Sequence, residues 1–358
     1  MTPMLVVRRS VLEANLAAMQ SACDAAGVDL RAHGKMHKCS RLGLRQVQLG
    51  AVGLCCQTLG EAQAFVRAGI GDVLVTSPPP GWAAEALAVL ATGGARVGVV
   101  ADSAAQIDQL SAAATSAGVT LRVLIDIDLG THRTGVQPSD VLTLARRVQA
   151  ASGLAWGGVQ AYLGHLQHLA DVAARAIAAK VAHDALRALL VELTASSLAA
   201  PTVTGAGTGT FSIDLAGGVF TEIQAGSYAF MDVEYEDCGA PDGGTWPFAP
   251  SLFMATTVVS ANQPGHVTCN AGLKALSVDG PHARVEGLEG FRFRAMGDEH
   301  GAIIAPTGGV LPAEGATVWL QPGHCDPTVN LHDALCVVDD QGGWEFWPID
   351  ARRTAVPT

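Results

Sequence analysis

The sequence is poor in charged and aromatic residues, and it lacks any long run of one charge or of apolar residues. Charged residues make up 15% and aromatic residues 5% of 358 positions, while 49% are hydrophobic, so the chain can bury a core and shows no sign of disorder. The net charge of −11 argues against a general nucleic-acid binder, which needs a basic surface. Gly, Arg, Asp and His interrupt every apolar window before it reaches membrane-spanning length.

The eight cysteines are scattered, and no two of them form a Cys-x-x-Cys pair. This spacing predicts reduced, partly buried thiols of a cytoplasmic protein and makes a structural zinc knuckle a poor interpretation. The N-terminal residues Met-Thr-Pro-Met-Leu-Val-Val-Arg-Arg have no long apolar stretch after their charges, so no signal peptide is predicted.

Short apolar strands alternate with helices through the first two thirds of the chain. Apolar spacing and caps predict a helix from Ser10 to Ala26, others capped by Thr58 and Ser103, and a long one from about His168 to Leu198. Eight strand–helix units in about 235 residues are typical of a parallel (β/α)8 barrel of the TIM type. We therefore expect such a barrel over residues 1–236, with an open doubly wound sheet as the alternative.

The pattern changes near Asp237. Helical periodicity stops, and short alternating strands follow, separated by turns such as Asn262–Gly265 and Asp279–Gly280. We expect a C-terminal antiparallel β-domain over residues 237–358.

Residues 31–38, Arg-Ala-His-Gly-Lys-Met-His-Lys, form the first candidate site. Read as a strand, this segment places its arginine, both histidines and Lys35 on one face. Neighbouring cations and partial desolvation are expected to lower the pKa of Lys35, which makes it a candidate Schiff-base lysine. Lys38 is the weaker candidate, and a basic strand end covered by a loop is the alternative.

Two glycine-rich loops near the end of the barrel pattern predict an anion site. Residues 205–210 offer backbone N–H groups and the hydroxyls of Thr208 and Thr210, and Gly226-Ser227 follows the next strand. Loops on successive late strands of a barrel favour a phosphate cradle. Arg133 follows another strand at the same predicted rim.

Two further clusters carry groups suited to acid–base or metal chemistry. Tyr162 ends a predicted strand, and His168 follows it, although a histidine there can be a simple helix cap. In an extended segment His324 and Asp326 point the same way, and this pair suits Mn²⁺, Co²⁺ or Mg²⁺. Cys325 as a ligand would favour zinc, and a turn histidine without a metal is the alternative.

These motifs together resemble the fold-type III pyridoxal-phosphate enzymes, which are alanine-racemase-like barrels with a C-terminal β-domain, and more narrowly the D-threonine aldolase and D-serine dehydratase family. The matching motifs, in order, are Arg31-x-His-x-Lys35-x-His-Lys, Gly53-Leu-Cys-Cys-Gln57, Arg133-x-Gly-Val, Gln160-Ala-Tyr162 with Gln167-His168, Gly205-x-Gly-Thr-Gly, Gln224-Ala-Gly-Ser-Tyr228 and Gly323-His324-x-Asp326-Pro-Thr.

The resemblance implies a role for each of these residues. Lys35 carries the internal aldimine of pyridoxal 5'-phosphate, and His168 is the acid or base beside the metal. The other cofactor-binding residues are Gln57, Arg133, Tyr162, Gly207, Thr208, Gly226 and Ser227. A divalent metal (Mn, Co or Mg, or else Zn) is bound by His324 and Asp326. A homodimer acting on a small amino-acid substrate is implied as well.

In that family the second metal position separates aldolases, with His-x-Asp, from dehydratases, with His-x-Cys. Asp326 therefore implies an aldolase that cleaves a β-hydroxy-D-amino acid, D-threonine-like or 3-hydroxyaspartate-like, to glycine and an aldehyde. The alternative is a dehydratase that releases a 2-oxo acid and ammonia.

Two other functions are less favoured. A pyridoxal-phosphate carrier needs no metal-bound substrate, and a racemase needs a second base, for which the β-domain offers no tyrosine. Three residues depart from the family pattern: Ala32 replaces a usual proline, Met36 a frequent threonine, and Asn270 a frequent aspartate.

Overall fold

The computed structural model describes residues 1–352, which form a closed parallel barrel and a largely antiparallel β-domain. The first half contains β1 (Met4–Arg8), α1 (Arg9–Ala26), β2 (Asp29–His33), α2 (Ser40–Gln48), β3 (Gly53–Cys56), α3 (Leu59–Arg67), β4 (Asp72–Val75), α4 (Ala84–Ala91), β5 (Arg96–Ala101), α5 (Ala104–Ala117), β6 (Leu121–Asp126), α6 (Pro138–Ala150), β7 (Leu154–Ala161) and α7 (Val172–Ala195). The second half contains β8 (Thr202–Gly205), α8 (Phe211–Gly217), β9 (Glu222–Ile223), α9 (Val233–Cys238), β10 (Leu252–Gln263), β11 (His266–Cys269), β12 (Arg284–Val285), β13 (Arg292–Ala295), β14 (Gly301–Ile304), β15 (Thr317–Gln321), α10 (Cys325–Val329), β16 (Ala334–Val338) and β17 (Trp344–Pro348).

The barrel consists of β2 to β9 in sequence order, and it closes because β9 pairs with β2. This confirms the predicted (β/α)8 barrel over the open sheet. Cys55, Leu74, Val100 and Leu124 come from four neighbouring strands and form a separate buried cluster. They alternate with strand residues that pack against the outer helices, so they lie inside the barrel.

Two of the three predicted helix N-caps are found. Thr58 and Ser103 accept backbone N–H groups at the starts of α3 and α5, as expected. The predicted cap at Ser10 is wrong, because α1 begins at Arg9 and the Ser10 hydroxyl donates to Asp340. The predicted start of a long helix near His168 is also wrong, since α7 begins at Val172 after an intervening turn.

The second sheet has the strand order β11-β14-β13-β12-β15-β10-β1-β16-β17, and β10 also pairs with β11. The first six of these strands therefore form a closed antiparallel ring, which confirms the predicted antiparallel domain. The strand β13 was not predicted. Within residues 1–352, no helix has both the length and the apolar character needed to cross a membrane.

The strand β1 lies in this second sheet, antiparallel to β10 and parallel to β16. The predicted first domain, residues 1–236, includes β1 and is wrong on this point. Leu5, Val6 and Val7 are buried, so the backbone N–H and C=O groups along both edges of this strand need hydrogen-bond partners. The barrel is closed and has no free edge to accept it.

Candidate active site

A cavity of about 250 Å³ opens at the carboxyl ends of the barrel strands. It brings together every residue predicted to bind the cofactor, namely Lys35, Gln57, Arg133, Tyr162, Gly207, Thr208, Gly226 and Ser227. These residues come from six separate stretches of the chain, so the barrel alone makes them neighbours.

Lys35 reaches this cavity from a turn and not from a strand. β2 ends at His33, so the predicted row of four cations on one face is wrong beyond that residue. The turn packs closely, because a Cβ at Gly34 would lie 2.5 Å from the Phe65 ring. His37 points away from the cavity. Its Nε2 lies 3.2 Å from Gln46 Oε1.

An ion pair joins Lys35 to the β-domain. Lys35 Nζ donates to Asp326 Oδ2 at 2.8 Å, and the lysine side chain is 41% exposed. The Asp326 carboxylate raises the pKa of Lys35 above its ordinary value, so the predicted lowering is wrong. Although burial alone would raise it, the positive charge of Lys35 holds the pKa of Asp326 at about 2. The sequence prediction counted the neighbouring cations and could not include a carboxylate from a distant helix.

Three polar side chains form one wall of the cavity next to Lys35. His33 Nε2 lies 3.0 Å from Thr76 Oγ1, which is 3.1 Å from Gln57 Oε1. Burial, reinforced by the charge of Lys35, lowers the pKa of His33 well below its ordinary value, so this imidazole is neutral. His33 and Thr76 were not predicted as site residues. Their position at strand carboxyl ends was the available signal.

The two glycine-rich loops lie where a side chain could not fit. A side chain at Gly207 would overlap the Gln167 amide, and a Cβ at Gly226 would lie 3.0 Å from the His33 carbonyl oxygen. Thr208 Oγ1 accepts the Tyr228 N–H at 3.0 Å, which ties the first loop to the second. Backbone of this kind can approach an anion closely.

Thr210 departs from its predicted role. Its hydroxyl donates to Asp214 Oδ2 at 2.5 Å and accepts from Gln167 Nε2 at 3.0 Å, so it faces away from the cavity. The prediction that Thr210 supplies a second hydroxyl to the anion site is therefore wrong, because Asp214 of α8 holds this hydroxyl.

Arg133 and Tyr162 meet at another wall of the cavity. The guanidinium carbon of Arg133 lies 5.7 Å from the centre of the Tyr162 ring, within the range of a cation–π contact. Burial raises the pKa of the Tyr162 hydroxyl. Tyr162 therefore stays protonated and can donate a hydrogen bond into the cavity.

His168 lies beside the cavity, in the segment between β7 and α7. Its ring is 4.5 Å from that of Tyr235, which lines the cavity, and 6.3 Å from that of His324. His168 Nδ1 is 3.4 Å from Glu234 Oε1. His168 Nε2 is buried without a hydrogen-bond partner among the described residues. Glu234 and Tyr235 were not predicted, because α9 lies at the domain junction and has no motif.

The predicted metal ligands occupy the start of α10. The expected extended segment is wrong, because α10 begins at Cys325 with His324 as its N-cap residue. His324 Nδ1 lies 3.0 Å from Asp279 Oδ2, while Asp326 faces Lys35. Buried Asp232 accepts the Cys325 N–H at 2.8 Å and thereby fixes this turn against α9. No group of three or more His, Cys, Asp or Glu side chains in residues 1–352 is arranged to hold a metal.

Asn270, the departure noted in the β-domain, lies outside this cavity. Its side chain accepts from the Thr257 N–H at 2.8 Å and donates to the Thr2 carbonyl at 3.0 Å. Within one chain it therefore joins β10 to the N-terminal residues.

A lysine amine at the mouth of a (β/α)8 barrel, facing two glycine-rich loops and covered by an antiparallel β-domain, defines the alanine-racemase-like, fold-type III class of pyridoxal-phosphate enzymes. The family model for the alanine racemase N-terminal domain matches residues 7–234, and the model for a putative serine dehydratase domain matches residues 251–338. Within this class, the chain belongs to the D-threonine aldolase and D-serine dehydratase family.

Full-length relatives are similar over nearly the whole chain. A D-threonine aldolase of Arthrobacter sp. is 41% identical over 98% of this chain and 92% of its own length. A 3-hydroxy-D-aspartate aldolase of Paracoccus denitrificans (strain Pd 1222) is 38% identical over the same shares. The crystal structure of D-threonine aldolase from Filomicrobium marinum superposes with a TM-score of 0.94 at 38% identity, covering 98% of this chain and 96% of that one.

Proposed function

We propose that this protein is a carbon–carbon lyase that cleaves a β-hydroxy-D-amino acid, D-threonine-like or 3-hydroxyaspartate-like, to glycine and an aldehyde. The observation that carries the proposal is that Lys35, which lines the cavity, contacts Asp326. On the other side, His168 contacts the cavity residue Tyr235 and lies 6.3 Å from the His324 ring. The relatives named as aldolases of D-threonine and of 3-hydroxy-D-aspartate support the choice of reaction.

The residues of the cavity fit pyridoxal 5'-phosphate. The Lys35 side chain is accessible from the cavity and, in its unprotonated form, can react with an aldehyde. Gly207, Thr208, Gly226 and Ser227 offer close backbone and hydroxyls to a phosphate. When bound there, this cofactor supplies an electron sink for the pair released by breaking the Cα–Cβ bond.

His168 is suited to accept the proton of the substrate β-hydroxyl at Nε2. That nitrogen is buried and unpartnered among residues 1–352, and Glu234 faces the opposite ring nitrogen. An orienting carboxylate on one side of an imidazole favours the tautomer with a free acceptor on the other side. The Tyr235 ring contacts the His168 ring edge to face and supports its position.

His324 and Asp326 would hold a divalent ion next to His168. An imidazole and a carboxylate leave coordination positions open, which suits Mn²⁺, Co²⁺ or Mg²⁺ better than a closed zinc site. Such an ion supplies a positive charge that favours an ionised oxygen nearby.

A dehydratase is the second candidate, because the C-terminal part of the chain matches the putative serine dehydratase domain. That reaction would remove the α-proton and expel the hydroxyl, giving a 2-oxo acid and ammonia. Asp326, rather than a cysteine, at the second metal position favours the aldolase.

We further infer a cytoplasmic homodimer. The eight cysteines are all buried with free thiols, as a reducing compartment allows. Trp344 and Phe346 form an edge-to-face pair on the outer strand β17 and are 65% and 51% exposed, which supports association with a second copy.

The test is product analysis after incubation of the purified protein with pyridoxal 5'-phosphate, Mn²⁺ and either D-threonine or D-3-hydroxyaspartate. Glycine with acetaldehyde or glyoxylate supports the aldolase. A 2-oxo acid with ammonia would instead establish the dehydratase.

Metal dependence is tested with the same assay. Dialysis against a chelator should abolish cleavage, and added Mn²⁺ should restore it. In His324→Ala, Mn²⁺ should restore no activity while the visible absorbance of the lysine-bound cofactor remains. The exposed His282 gives the matched control, His282→Ala, which should respond as the unaltered enzyme does.

A further inference from the structure

A chain of buried polar side chains lies behind the glycine-rich loop 205–210, on the side away from the cavity. It runs from His183 on α7 to Asp214 on α8, then to Thr210 at the end of the loop, and then to Gln167 after β7. Each of these four side chains is at most 4% exposed. The proposed chemistry uses none of them directly.

Hydrogen bonds run without a break along this chain. His183 Nε2 lies 2.7 Å from Asp214 Oδ1, and Thr210 Oγ1 donates to Asp214 Oδ2 at 2.5 Å. Gln167 Nε2 donates to Thr210 Oγ1 at 3.0 Å, and Gln167 Oε1 accepts the Gly209 N–H at 2.9 Å. The network therefore ends on the backbone of the loop itself.

The outer end of the network is held by close packing. A Cβ at Gly217 would lie 2.5 Å from His183 Nδ1, and the Phe220 ring stands nearly perpendicular to the imidazole at 5.7 Å. Asp214 is 1% exposed, and an unpaired carboxylate at that depth is costly. The buried Asp214 carboxylate therefore depends on its hydrogen bonds to both His183 and Thr210. These two bonds hold the network in place.

The inner end of the network touches both parts of the site. A side chain at Gly207 or Gly209 would overlap Gln167, so the loop is folded around this residue. Gln167 is also the immediate neighbour of His168 in the chain. One side chain therefore sets the position of the loop relative to the proposed acid–base residue.

We propose that His183, Asp214, Thr210 and Gln167 form a positioning network that fixes the loop so that its backbone can hold the cofactor phosphate. The inference rests on the proposed function, because it requires the phosphate to lie at Gly207 and Thr208. Supporting partners that orient metal ligands are worth about 10- to 100-fold in affinity, and an effect of similar size is expected here.

The test compares Thr210→Val, which removes the hydroxyl at nearly constant shape, with Thr210→Ser, which keeps it. The dissociation constants of the apoenzyme for pyridoxal 5'-phosphate and for pyridoxal, which lacks the phosphate, are measured by equilibrium titration. Thr210→Val should raise the Kd for pyridoxal 5'-phosphate about 10-fold and leave that for pyridoxal unchanged. Thr210→Ser should match the unaltered protein with both compounds.

Two more variants complete the design. Asp214→Leu has a similar volume and accepts a hydrogen bond from neither His183 nor Thr210, so it should show the same selective loss even if Thr210→Val fails to fold. Lys180→Ala removes an exposed ion pair with Asp184 on the same helix and should change neither constant.

An equal weakening of both compounds would show a general loss of structure and would overturn the network proposal. Unchanged binding of pyridoxal 5'-phosphate in Asp214→Leu would overturn it as well. If the unaltered apoenzyme binds neither compound, the cofactor site itself is wrong, and that failure of the proposed function is distinct from both other results.

Discussion

The imidazole of His168 has its two nitrogens in different surroundings. Nδ1 lies beside Glu234, while Nε2 is buried without a partner among the described residues. We expect His168→Ala to lower kcat for cleavage by about 10²- to 10⁴-fold, the range that a general base contributes. The visible absorbance of the cofactor bound to Lys35 should be unchanged, since the described side-chain contacts of His168 are with Glu234, Tyr235 and His324.

His165 provides the control for this prediction. It lies in the same segment, but its Nδ1 faces Thr131 Oγ1 at 3.3 Å and its side chain is exposed. His165→Ala should retain kcat within about twofold, because surface changes are usually nearly neutral. Equal losses in the two variants would show that the segment, and not the His168 imidazole, is what cleavage requires.

The residue scale also shows where sequence reasoning stops. Part of the cavity lining could be predicted, because glycines, a lysine and a tyrosine near strand ends carry their own signal, whereas Thr76 and Tyr235 were missed. The charge state of Lys35 and the orientation of Thr210 could not, since Asp326 and Asp214 decide them through contacts across the fold.

At the scale of elements, the turn between β2 and α2 rests on a buried neutral histidine. His37 is fully buried, accepts the Cys39 N–H at Nδ1 and faces Gln46 at Nε2. Burial lowers the pKa of His37 to about 4. The unfolded chain therefore binds a proton between pH 6.5 and about 4 that the folded protein does not, so this contribution to stability is present above pH 6.5 and is lost as pH falls toward 4.

The expected size follows from this linkage. Within that window, His37 should make the free energy of unfolding fall by about 1.4 kcal/mol per pH unit. His37→Gln should lower the slope by that amount, as measured by urea unfolding at several pH values, while His33, whose pKa is also lowered, keeps its own contribution. His300→Gln on the exposed surface should leave the slope as it is in the unaltered protein. An unchanged slope in His37→Gln would mean that His37 does not titrate in this window.

Elements that depend on local signals were predicted well. The caps at Thr58 and Ser103 are found as expected. The stretch after His33 was misread as strand, because alternating side chains imitate a strand period while Gly34 turns the backbone against Phe65.

At the scale of the whole molecule, charges inside the barrel join strands that are distant in sequence. Arg31 donates to Asp72 at 2.7 Å and to Glu222 at 2.8 Å, and all three side chains are at most 5% exposed. Arg31→Met would leave buried carboxylates without this cation, so we expect a loss of about 3–5 kcal/mol in the free energy of unfolding. Urea unfolding followed by circular dichroism measures this loss.

The exposed pair of Arg147 and Asp108, at 2.5 Å, is the matched comparison. Arg147→Met should leave the free energy of unfolding unchanged within the error of that measurement, because water already solvates both charges. Similar losses in the two variants would contradict the importance assigned to the buried cluster.

The architecture could be predicted at this scale because a chain of alternating strands and helices can form only a few folds. The place of β1 could not be predicted, because nothing in Met4–Arg8 indicates that its partners lie at Leu252–Gln263 and Ala334–Val338.

That pairing has a consequence for the synthesis of the protein. On the ribosome, β1 is made long before either neighbouring strand. This apolar strand therefore stays unpaired while the barrel forms beside it. A chain that stops before residue 334 leaves an edge of β1 open, and open apolar edges promote aggregation. The strand made first is thus completed among the last, and the fold itself distinguishes finished chains from unfinished ones.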